Sequence, residues 1–224
     1  MSKVADGRKR LLARTRYLAA TALHRPTTKV LDSYFSAFPD PYHMEGHTGS
    51  RLAALAAALC THVGPFESLL DISCHEGLVL SGLAREFGLT DVMGLDLSTV
   101  ALARARERCA AERPAARFAA FDLNALYADR TRLPIERPYD VIIVCEVLYY
   151  IGPFANTLWS HAGVAQGRKR RFFAALQAQA RKAVVIQHFG RRQRDAIGAV
   201  ARACGAIEAD AAWGIYILEG KADR

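Results

Sequence analysis

The sequence predicts an α/β protein whose sheet is mostly parallel and covered by helices on both faces. From Ser68 onward, short apolar runs alternate with segments whose apolar residues recur at helical spacing, a pattern typical of such sheets. Near the C-terminus, two strand candidates stand too close together for a helix to lie between them. The expected architecture is a doubly wound sheet of seven strands that ends in an antiparallel hairpin strand.

The first three strands are predicted from apolar runs. Residues 68–73 (SLLDIS) form the first strand, and the helix that follows ends at Gly88. Residues 91–98 (DVMGLDLS) form the second, where Ser98 caps the helix TVALARARERCAAER. Residues 116–123 (ARFAAFDL) form the third.

The other four strands complete the sheet. YDVIIVCEVLYY opens with the fourth, at Tyr139, and is too apolar for an exposed edge. A helical and loop region extends to about Arg181, and residues 182–189 (KAVVIQHF) form the fifth strand. After the helix RRQRDAIGAVARACG, the tail AIEADAAWGIYILEGK contains the sixth and seventh.

Residues 1–67 are predicted to form a helical lid, separate from a domain over residues 68–224. Two helical patterns, GRKRLLARTRYLAATALHR and SRLAALAAALCTHV, flank FPDPYHMEGHTGS, which is rich in turn-forming residues. Such a segment can cap the ligand-binding edge of a sheet. Tyr42, His43 and His47 are candidates to close over a cofactor, and Tyr42 is assigned to cofactor binding; an ordinary turn is the alternative.

Composition excludes several classes of protein. No apolar run approaches the roughly 20 residues that cross a bilayer, and no secretory signal follows the basic N-terminus, so we expect a cytoplasmic protein with no membrane partner. The five cysteines are scattered singly, without metal-ligand spacing, so we expect free thiols and no metal site. A homodimer is compatible with the sequence.

The formal charge of +8 raises the question of nucleic acid binding. Of the 30 basic residues 24 are Arg, in an Ala-rich chain. The base composition of the genome explains this excess of Arg as well as selection for phosphate contact does. The dense tracts GRKRR (167–171) and GRRQR (190–194) are interpreted as solvated helix faces. Nucleic acid is therefore not the expected partner.

The loop after the first strand, DISCHEG, lies where open α/β sheets bind ligands, beyond the carboxyl ends of the strands. Gly77 opens the next helix, whose first N–H groups are unpaired donors. A dinucleotide fold requires G-x-G-x-x-G and a P-loop requires G-x-x-x-x-G-K-[ST], whereas SCHEGL contains one glycine. The loop therefore argues against both phosphate-binding motifs.

Acidic residues at strand ends indicate a different ligand. Asp71 leads the loop, Asp96 ends the second strand, and Asp122 ends the third. The Asp96 carboxylate can accept both hydroxyls of a ribose. Asp122 can accept from an adenine amino group, and Leu97 and Leu123 can enclose the ring. The pattern predicts a nucleoside without phosphates, with a charged end near Asp71.

With these motifs the chain resembles the class I S-adenosylmethionine-dependent methyltransferases. The matching segments are LDISCHEG, GLDLS, FDL and YDVIIVCEVLYYI, in that family's order, within Ser68 to Gly220. The resemblance implies a Rossmann-like fold, S-adenosyl-L-methionine as cofactor, and binding residues Asp71, Ser73, Gly77, Asp96, Leu97, Asp122, Leu123, Cys145 and Glu146. Within the class, DPYHMEGHTGSRLAALAAAL and CEVLYYI are most similar to small-molecule N-methyltransferases of the nodulation-factor and amino-sugar type.

The loop departs from the family pattern at two of its three glycine positions, which hold Ser73, His75 and Gly77. Glycine serves there because φ is positive or because a side chain would collide with the ligand. Ser and His are expected where the turn is less extreme, with the Ser73 hydroxyl near the methionine end. A closed loop that binds nothing is the alternative.

The implied reaction is an in-line attack of a small nucleophile, such as an amine, on the activated methyl group. Residues beyond the fourth and fifth strands face the methyl group in this architecture, among them Glu146, Tyr149, Tyr150 and His188. His188 and His161 are the candidate bases, and Tyr149 completes the proposed catalytic set. His188 is equally compatible with a satisfied core histidine.

Three other functions remain open. An RNA methyltransferase would use the basic tracts, although neither [DN]PP[YF] nor a Pro-Cys nucleophile is present. A dehydrogenase would place Asp96 on a nicotinamide ribose, against the missing glycines. A non-catalytic cofactor-binding protein is compatible with Ser73 and His75. The sequence does not distinguish N-, O- and C-methylation.

Overall fold

The computed structural model describes residues 3–23, 26–38, 44–112, 116–151, 163–188 and 191–222. Seven strands form one sheet in the order β3-β2-β1-β4-β5-β7-β6. Along the chain they are β1 (Ser68–Ile72), β2 (Asp91–Asp96), β3 (Arg117–Ala120), β4 (Tyr139–Cys145), β5 (Ala180–Gln187), β6 (Ile207–Asp210) and β7 (Ile215–Glu219).

Helices cover both faces of this sheet and precede it in the chain. In the described residues they are α1 (Lys3–Ala22), α2 (Thr28–Ala37), α3 (Met44–His62), α4 (Leu78–Glu86), α5 (Thr99–Glu112), α6 (Leu123–Tyr127), α7 (Gly163–Gln177) and α8 (Arg191–Ala203). A short 3-10 turn over Leu148–Tyr150 follows β4.

The strand directions confirm the predicted fold class. β1 to β5 pair in parallel, whereas β7 pairs antiparallel with both β5 and β6. The order reverses between β1 and β4, because β1 connects toward β2 on one side and β4 lies on the other. Ligands of doubly wound sheets bind at this point.

Two hydrophobic clusters lie on opposite faces of the sheet, as the alternation of side chains along a strand requires. In β1, Leu70 and Ile72 join the cluster beneath α6, α7 and α8. Leu69 joins the other cluster, which includes Leu55 and Leu59 of α3. Every residue of β1 and β4 is buried, which explains their continuous apolar sequences.

The third strand is shorter than the sequence predicted. β3 ends at Ala120 instead of residue 123, because the Asp122 side chain caps α6 by accepting from the Asn124 N–H at 2.9 Å. An aspartate that can bond to a nearby N–H favours a helix N-terminus over a strand. At its N-terminal end β5 is longer than predicted, because it begins at Ala180, two residues before the predicted start.

The N-terminal prediction was incomplete. Helix α2 was not predicted, although Thr27 caps it, accepting from the Val30 N–H at 3.4 Å, and apolar residues recur at helical spacing after it. Helix α3 begins at Met44, inside the segment predicted as a turn. Gly and Thr weaken a helix, but the buried face of α3 outweighs this preference.

The basic tract of residues 167–171 is not uniformly solvated. Lys169 is 1% exposed within α7, and burial lowers the pKa of its ammonium group. The Arg168 guanidinium lies over the Tyr127 ring, 5.9 Å from its centroid. Part of this tract therefore packs against the protein.

None of the described helices combines the length and the apolar sequence that crossing a bilayer requires.

Gly94 provides a test of the packing that supports the loop after β1. A Cβ at this position would lie 2.6 Å from Cys74 Sγ and 2.7 Å from the Phe118 ring. We therefore expect Gly94→Ala to lower the free energy of unfolding by roughly 1–3 kcal/mol in urea titrations. Gly49→Ala in α3, where a Cβ meets open space, is the control and should leave stability unchanged or raise it by up to about 1 kcal/mol. Equal urea midpoints for Gly94→Ala and the unsubstituted protein would contradict the packing.

Candidate functional site

A cavity of about 260 Å³ lies at the carboxyl ends of β1, β2 and β4. It occupies the point where the strand order reverses. Most of the predicted cofactor-binding residues line it: Asp71, Ser73, Asp96, Leu97, Asp122, Leu123, Cys145 and Glu146. The topology thus brings together residues that are up to 75 positions apart in the chain.

The loop after β1 keeps the left-handed backbone of a glycine-rich turn without the glycines. The φ angles are 68° at Ser73, 55° at His75 and 77° at Gly77. The expectation of a less extreme turn was therefore wrong: Ser and His adopt the strained conformation. Each non-glycine residue there costs roughly 1–2 kcal/mol, which the surrounding contacts must offset.

Hydrogen bonds from β2 hold this loop in place. The Leu95 carbonyl accepts from the N–H groups of Ser73 at 2.7 Å and Cys74 at 2.9 Å. Asp96 Oδ2 accepts from the His75 N–H at 3.0 Å and from Ser73 Oγ at 3.5 Å. The loop conformation thus depends on the end of the neighbouring strand.

Asp96 has fewer acceptor positions for a ligand than the sequence alone indicated. Its Oδ1 accepts from the Ser98 N–H at 2.8 Å, in addition to the two contacts at Oδ2. A carboxylate offers about four acceptor positions, and because the Leu97 N–H also acts on this carboxylate, at most one remains. Two ribose hydroxyls can both bind only if the long contact from Ser73 Oγ is given up.

Asp71 is a buried acid with an unsatisfied oxygen. It is 2% exposed, and no described residue forms a hydrogen bond to its Oδ1. Burial, with the neighbouring Asp96 charge, raises the pKa of the Asp71 carboxyl to about 8, although Arg51 acts in the opposite direction. A cationic ligand would stabilise the ionised form of this carboxylate.

Helix α2 supplies part of the cavity wall and was missed by the sequence reasoning. Its Asp32 accepts from Ser98 Oγ at 2.7 Å, Thr99 Oγ1 at 2.6 Å and the Val100 N–H at 3.2 Å, at the positive end of α5. Burial acts to raise the pKa of Asp32, but these hydrogen bonds together hold it below its ordinary value. Asp32 therefore attaches α2 to the N-terminus of α5.

A second connection joins α2 to the loop. The Arg104 guanidinium bonds to the buried Glu76 carboxylate at 2.6 Å and to the Phe35 carbonyl at 2.9 Å. The Phe35 ring meets the His75 ring edge-on, with centroids 4.6 Å apart. Phe35 and His75 both line the cavity, so the loop and α2 form one continuous wall.

Two more residues outside the predicted set reach the cavity. Arg51 of α3 lines the wall near Asp71. Tyr150, named in the sequence analysis but not assigned a role there, also lines it, and its hydroxyl is hydrogen-bonded to that of Tyr17 in α1. The Tyr17 ring stacks on Tyr34 of α2, with centroids 4.0 Å apart. Sequence reasoning had no signal for these long-range contacts, apart from the capped, periodic sequence of α2.

His188 lies behind the wall and not in it. It is 2% exposed, and its Nδ1 lies 3.3 Å from Oε2 of Glu146, which does line the cavity. Glu146 has a left-handed backbone, with φ of 51°. The adjacent Cys145 is buried, which raises the pKa of its thiol, so it contributes shape and not a nucleophile. His188 reaches the cavity through Glu146.

The remaining predicted residues lie elsewhere or outside the described residues. Gly77 is not part of the wall; its φ of 77° ends the turn, and a Cβ there would lie 3.1 Å from that of Ala105. Tyr42, His43 and His161 fall outside the described residues. For Tyr149, in the 3-10 turn, and His47, in α3, the structure describes only the backbone.

Residues 70–164 match the family model described as "Methyltransferase domain". The match covers the loop, the acids at the ends of β1 and β2, and the segment after β4. The predicted resemblance to class I S-adenosylmethionine-dependent methyltransferases is thereby confirmed for this part of the chain. The predicted cofactor, S-adenosylmethionine, fits a methyltransferase domain. A comparison with curated protein sequences gave no match.

Solved methyltransferases share the fold. An O-methyltransferase family protein from Burkholderia thailandensis is similar with a TM-score of 0.61 and 12% identity, over 97% of this chain and 71% of that chain. The N-methyltransferase NodS from Bradyrhizobium japonicum WM9, in complex with S-adenosyl-L-homocysteine, has a TM-score of 0.55 and 17% identity, over 82% and 91%. WbdD, with a TM-score of 0.48 and 22% identity, aligns over 67% of this chain and 32% of its own, so this chain spans about a third of that protein.

The Asp71 carboxyl predicts a pH-dependent stability. Its pKa is about 8 in the folded protein, against 3.8 ordinarily, so between these values the folded state binds a proton that the unfolded state does not. Stability from this group is therefore present below pH 4 and is lost as pH rises toward 8. Asp71→Asn cannot ionise, and we expect it to raise the free energy of unfolding at pH 8, without ligand, by roughly 1–3 kcal/mol.

Urea unfolding of both proteins from pH 4 to 8 measures this difference. The advantage of Asp71→Asn should grow with pH. Asp129→Asn, which removes an exposed acid outside the cavity, is the control and should show no such growth. A constant difference between Asp71→Asn and the unsubstituted protein would show that Asp71 keeps an ordinary pKa.

Proposed function

We propose that this protein binds S-adenosylmethionine in the cavity and methylates a small-molecule acceptor, with amines as the favoured class. The observation that carries the proposal is the buried Asp71 Oδ1, which has no hydrogen-bond partner among the described residues. A buried carboxylate in a cavity wall favours a ligand that brings a positive charge. S-adenosylmethionine carries a sulfonium and an ammonium group.

The wall residues fit the parts of this cofactor. Asp71 would hold the ammonium group, and Arg51, the cation beside it, would hold the carboxylate of the methionine portion. Asp96 would accept from the ribose and Asp122 from the adenine amino group. Leu97 and Leu123 would lie on either side of the adenine ring.

The same wall argues against a phosphate-bearing dinucleotide. Four acidic side chains line the cavity, namely Asp71, Asp96, Asp122 and Glu146, and they outnumber its arginine. Such a wall repels a pyrophosphate. Both the acidic charge of the wall and the missing glycines therefore argue against the dehydrogenase hypothesis.

When bound, the cofactor supplies a methyl group on a positively charged sulfur; transfer leaves S-adenosylhomocysteine and a methylated acceptor. The protein's part is to align the acceptor, to exclude water and to receive a proton. Glu146 is the acidic group at the end of the wall formed by β4, and it is backed by His188 at 3.3 Å. We assign to Glu146 the proton that an ammonium acceptor must lose, with His188 as the positioning residue behind it.

The acidic wall also favours an amine as the acceptor. An ammonium group is attracted to the cavity and becomes a nucleophile once it loses a proton. Tyr150, held by the Tyr17 hydroxyl, lies in the same wall and gives the acceptor an aromatic surface. An RNA acceptor is less well supported, because Arg168 of one basic tract, in α7, packs on Tyr127 of α6.

Calorimetric titration tests the cofactor assignment. We expect S-adenosylmethionine to bind with a dissociation constant on the order of micromolar. Because the pKa of Asp71 is about 8 in the empty protein, a bound cation should displace its proton at pH 7. The observed heat should therefore change between buffers of different ionisation enthalpy.

Variants make the titration specific. Asp71→Asn should weaken binding by roughly 10- to 100-fold, from the loss of a charge-assisted contact, and abolish the buffer dependence. Asp129→Asn, outside the cavity, should change neither quantity. Binding of NAD with no heat from S-adenosylmethionine would exclude the proposed function.

Methyl transfer to a panel of acceptors tests the role of Glu146 as the proton acceptor. A panel of primary amines, amino sugars, phenols and carboxylic acids is incubated with tritium-labelled S-adenosylmethionine, and label is expected in the amines. Glu146→Gln should lower kcat on the amine by roughly 100-fold and leave cofactor binding within threefold, because it removes only the proton acceptor.

Partial recovery of the Glu146→Gln rate at high pH would support the assignment, since the amine then arrives already neutral. Tyr150→Phe is the control in the same wall; it keeps the ring and should mainly raise KM. Full activity of Glu146→Gln at pH 7 would remove Glu146 from the mechanism. Labelling of phenols alone would replace the amine class but leave the cofactor assignment intact.

A further inference from the structure

Helix α1 presents an apolar surface to solvent. At about 100° per residue, positions 11, 12, 15, 18, 19, 22 and 23 fall within roughly 140° of the helix circumference. We call this surface the leucine face; it consists of Leu11, Leu12, Thr15, Leu18, Ala19, Ala22 and Leu23. Leu23 continues the helix, since its N–H donates to the Ala19 carbonyl at 3.1 Å.

The leucine face is exposed to an unusual degree. Its four leucines are each at least 55% exposed. Among the residues that the structure describes, Ile207 on β6 is the one other large apolar side chain that is exposed, at 48%. The Thr15 hydroxyl donates to the Leu11 carbonyl at 3.0 Å, so this polar group is satisfied within the helix. A concentrated apolar surface of this kind marks an interaction site.

The opposite side of α1 packs against the rest of the protein. Ala13 and Tyr17 are buried, Tyr17 stacks on Tyr34 of α2, and its hydroxyl bonds to Tyr150. These contacts fix the rotation of the helix. Most of the leucine face therefore points away from the rest of the protein, while Leu12, at its edge, also borders a groove between α1 and α2.

Basic residues border the leucine face. Arg14 lies along one edge and Arg16 along the other, both exposed. The helix contains six basic residues and one acidic residue, a net charge of +5 out of +8 for the whole chain. An apolar arc with a cation on each edge matches a surface of anionic headgroups above hydrocarbon.

We propose that α1 docks this protein on an anionic lipid surface. The leucine face enters the boundary between headgroups and acyl chains, and Arg14 and Arg16 extend to the lipid phosphates. This peripheral contact is distinct from a membrane span. The prediction of no membrane partner was based on the lack of an apolar run long enough to span a bilayer. It is also independent of the proposed reaction.

The charge and width of the surface favour lipid over a protein occupant. A second copy of α1 would bring a further +5 charge against the first, and this repulsion opposes dimerisation through the helix. A coiled-coil seam uses two positions in seven, whereas Leu12 and Leu23 lie outside the line from Leu11 to Leu18. The broad arc fits a fluid surface better than a single partner helix.

Vesicle flotation of the full chain tests the proposal. In 50 mM salt we expect at least tenfold stronger partitioning onto vesicles of 70% phosphatidylcholine and 30% phosphatidylglycerol than onto phosphatidylcholine alone. The double variant L11S/L18S should reduce partitioning at least tenfold. R14Q/R16Q should reduce it by about tenfold on the anionic vesicles, with a weaker dependence on salt.

Matched controls distinguish docking through α1 from nonspecific adsorption to the vesicles. Ile207→Ser removes the exposed apolar side chain on β6, and R130Q/R132Q removes two exposed cations elsewhere. Both should change partitioning less than twofold, and all variants should keep the unsubstituted melting temperature. The proposal is overturned by equal binding to both vesicle types. A dimer in light scattering that L11S/L18S dissociates would overturn it too, as it would assign the face to a second copy.

Discussion

A left-handed backbone at residues 73, 75 and 77 is the constraint on which the site depends. It directs the loop N–H groups of Ser73, Cys74 and His75 toward the end of β2, where the Leu95 carbonyl and the Asp96 carboxylate accept them. Glycine would adopt this backbone without strain. Here two non-glycine residues adopt it, and the ion pair of Glu76 with Arg104 holds the loop from the other side. The strain is thus offset by contacts that also build the cavity.

Burial gives the site its electrostatic character. Asp71 and Asp96 lie at neighbouring strand ends, where burial raises the pKa of both carboxyls. Hydrogen bonds from Ser98 and His75 partly oppose this effect at Asp96, while Asp71 keeps an oxygen to which no described residue bonds. A cationic ligand is the natural complement to this pair. The two acids therefore differ: the loop and Ser98 occupy most acceptor positions of Asp96, whereas no described residue bonds to Oδ1 of Asp71.

The sheet was predictable because its strands carry a local signal. β1 and β4 are buried on both faces and so read as apolar runs, and the acids that follow them mark the cavity before any coordinates are considered. The third strand was overextended because Asp122 can end a strand or cap a helix, and the choice depends on Asn124. The contacts of Asp32, Phe35 and Arg51 were not predictable, since they join segments that are distant in sequence. His188 was assigned to the cavity because its strand position was right, but the side chain packs behind Glu146.

The cavity wall is not contained in the sheet-forming part of the chain. Pro26, Leu31, Phe35 and Arg51 all precede β1, and they complete a pocket whose acids come from the strands. A recombinant fragment cut at Ser68 would keep all seven strands and still lose one side of the chamber. The natural unit for engineering or domain exchange is therefore the sheet together with its three leading helices, even though the sequence pattern divides them.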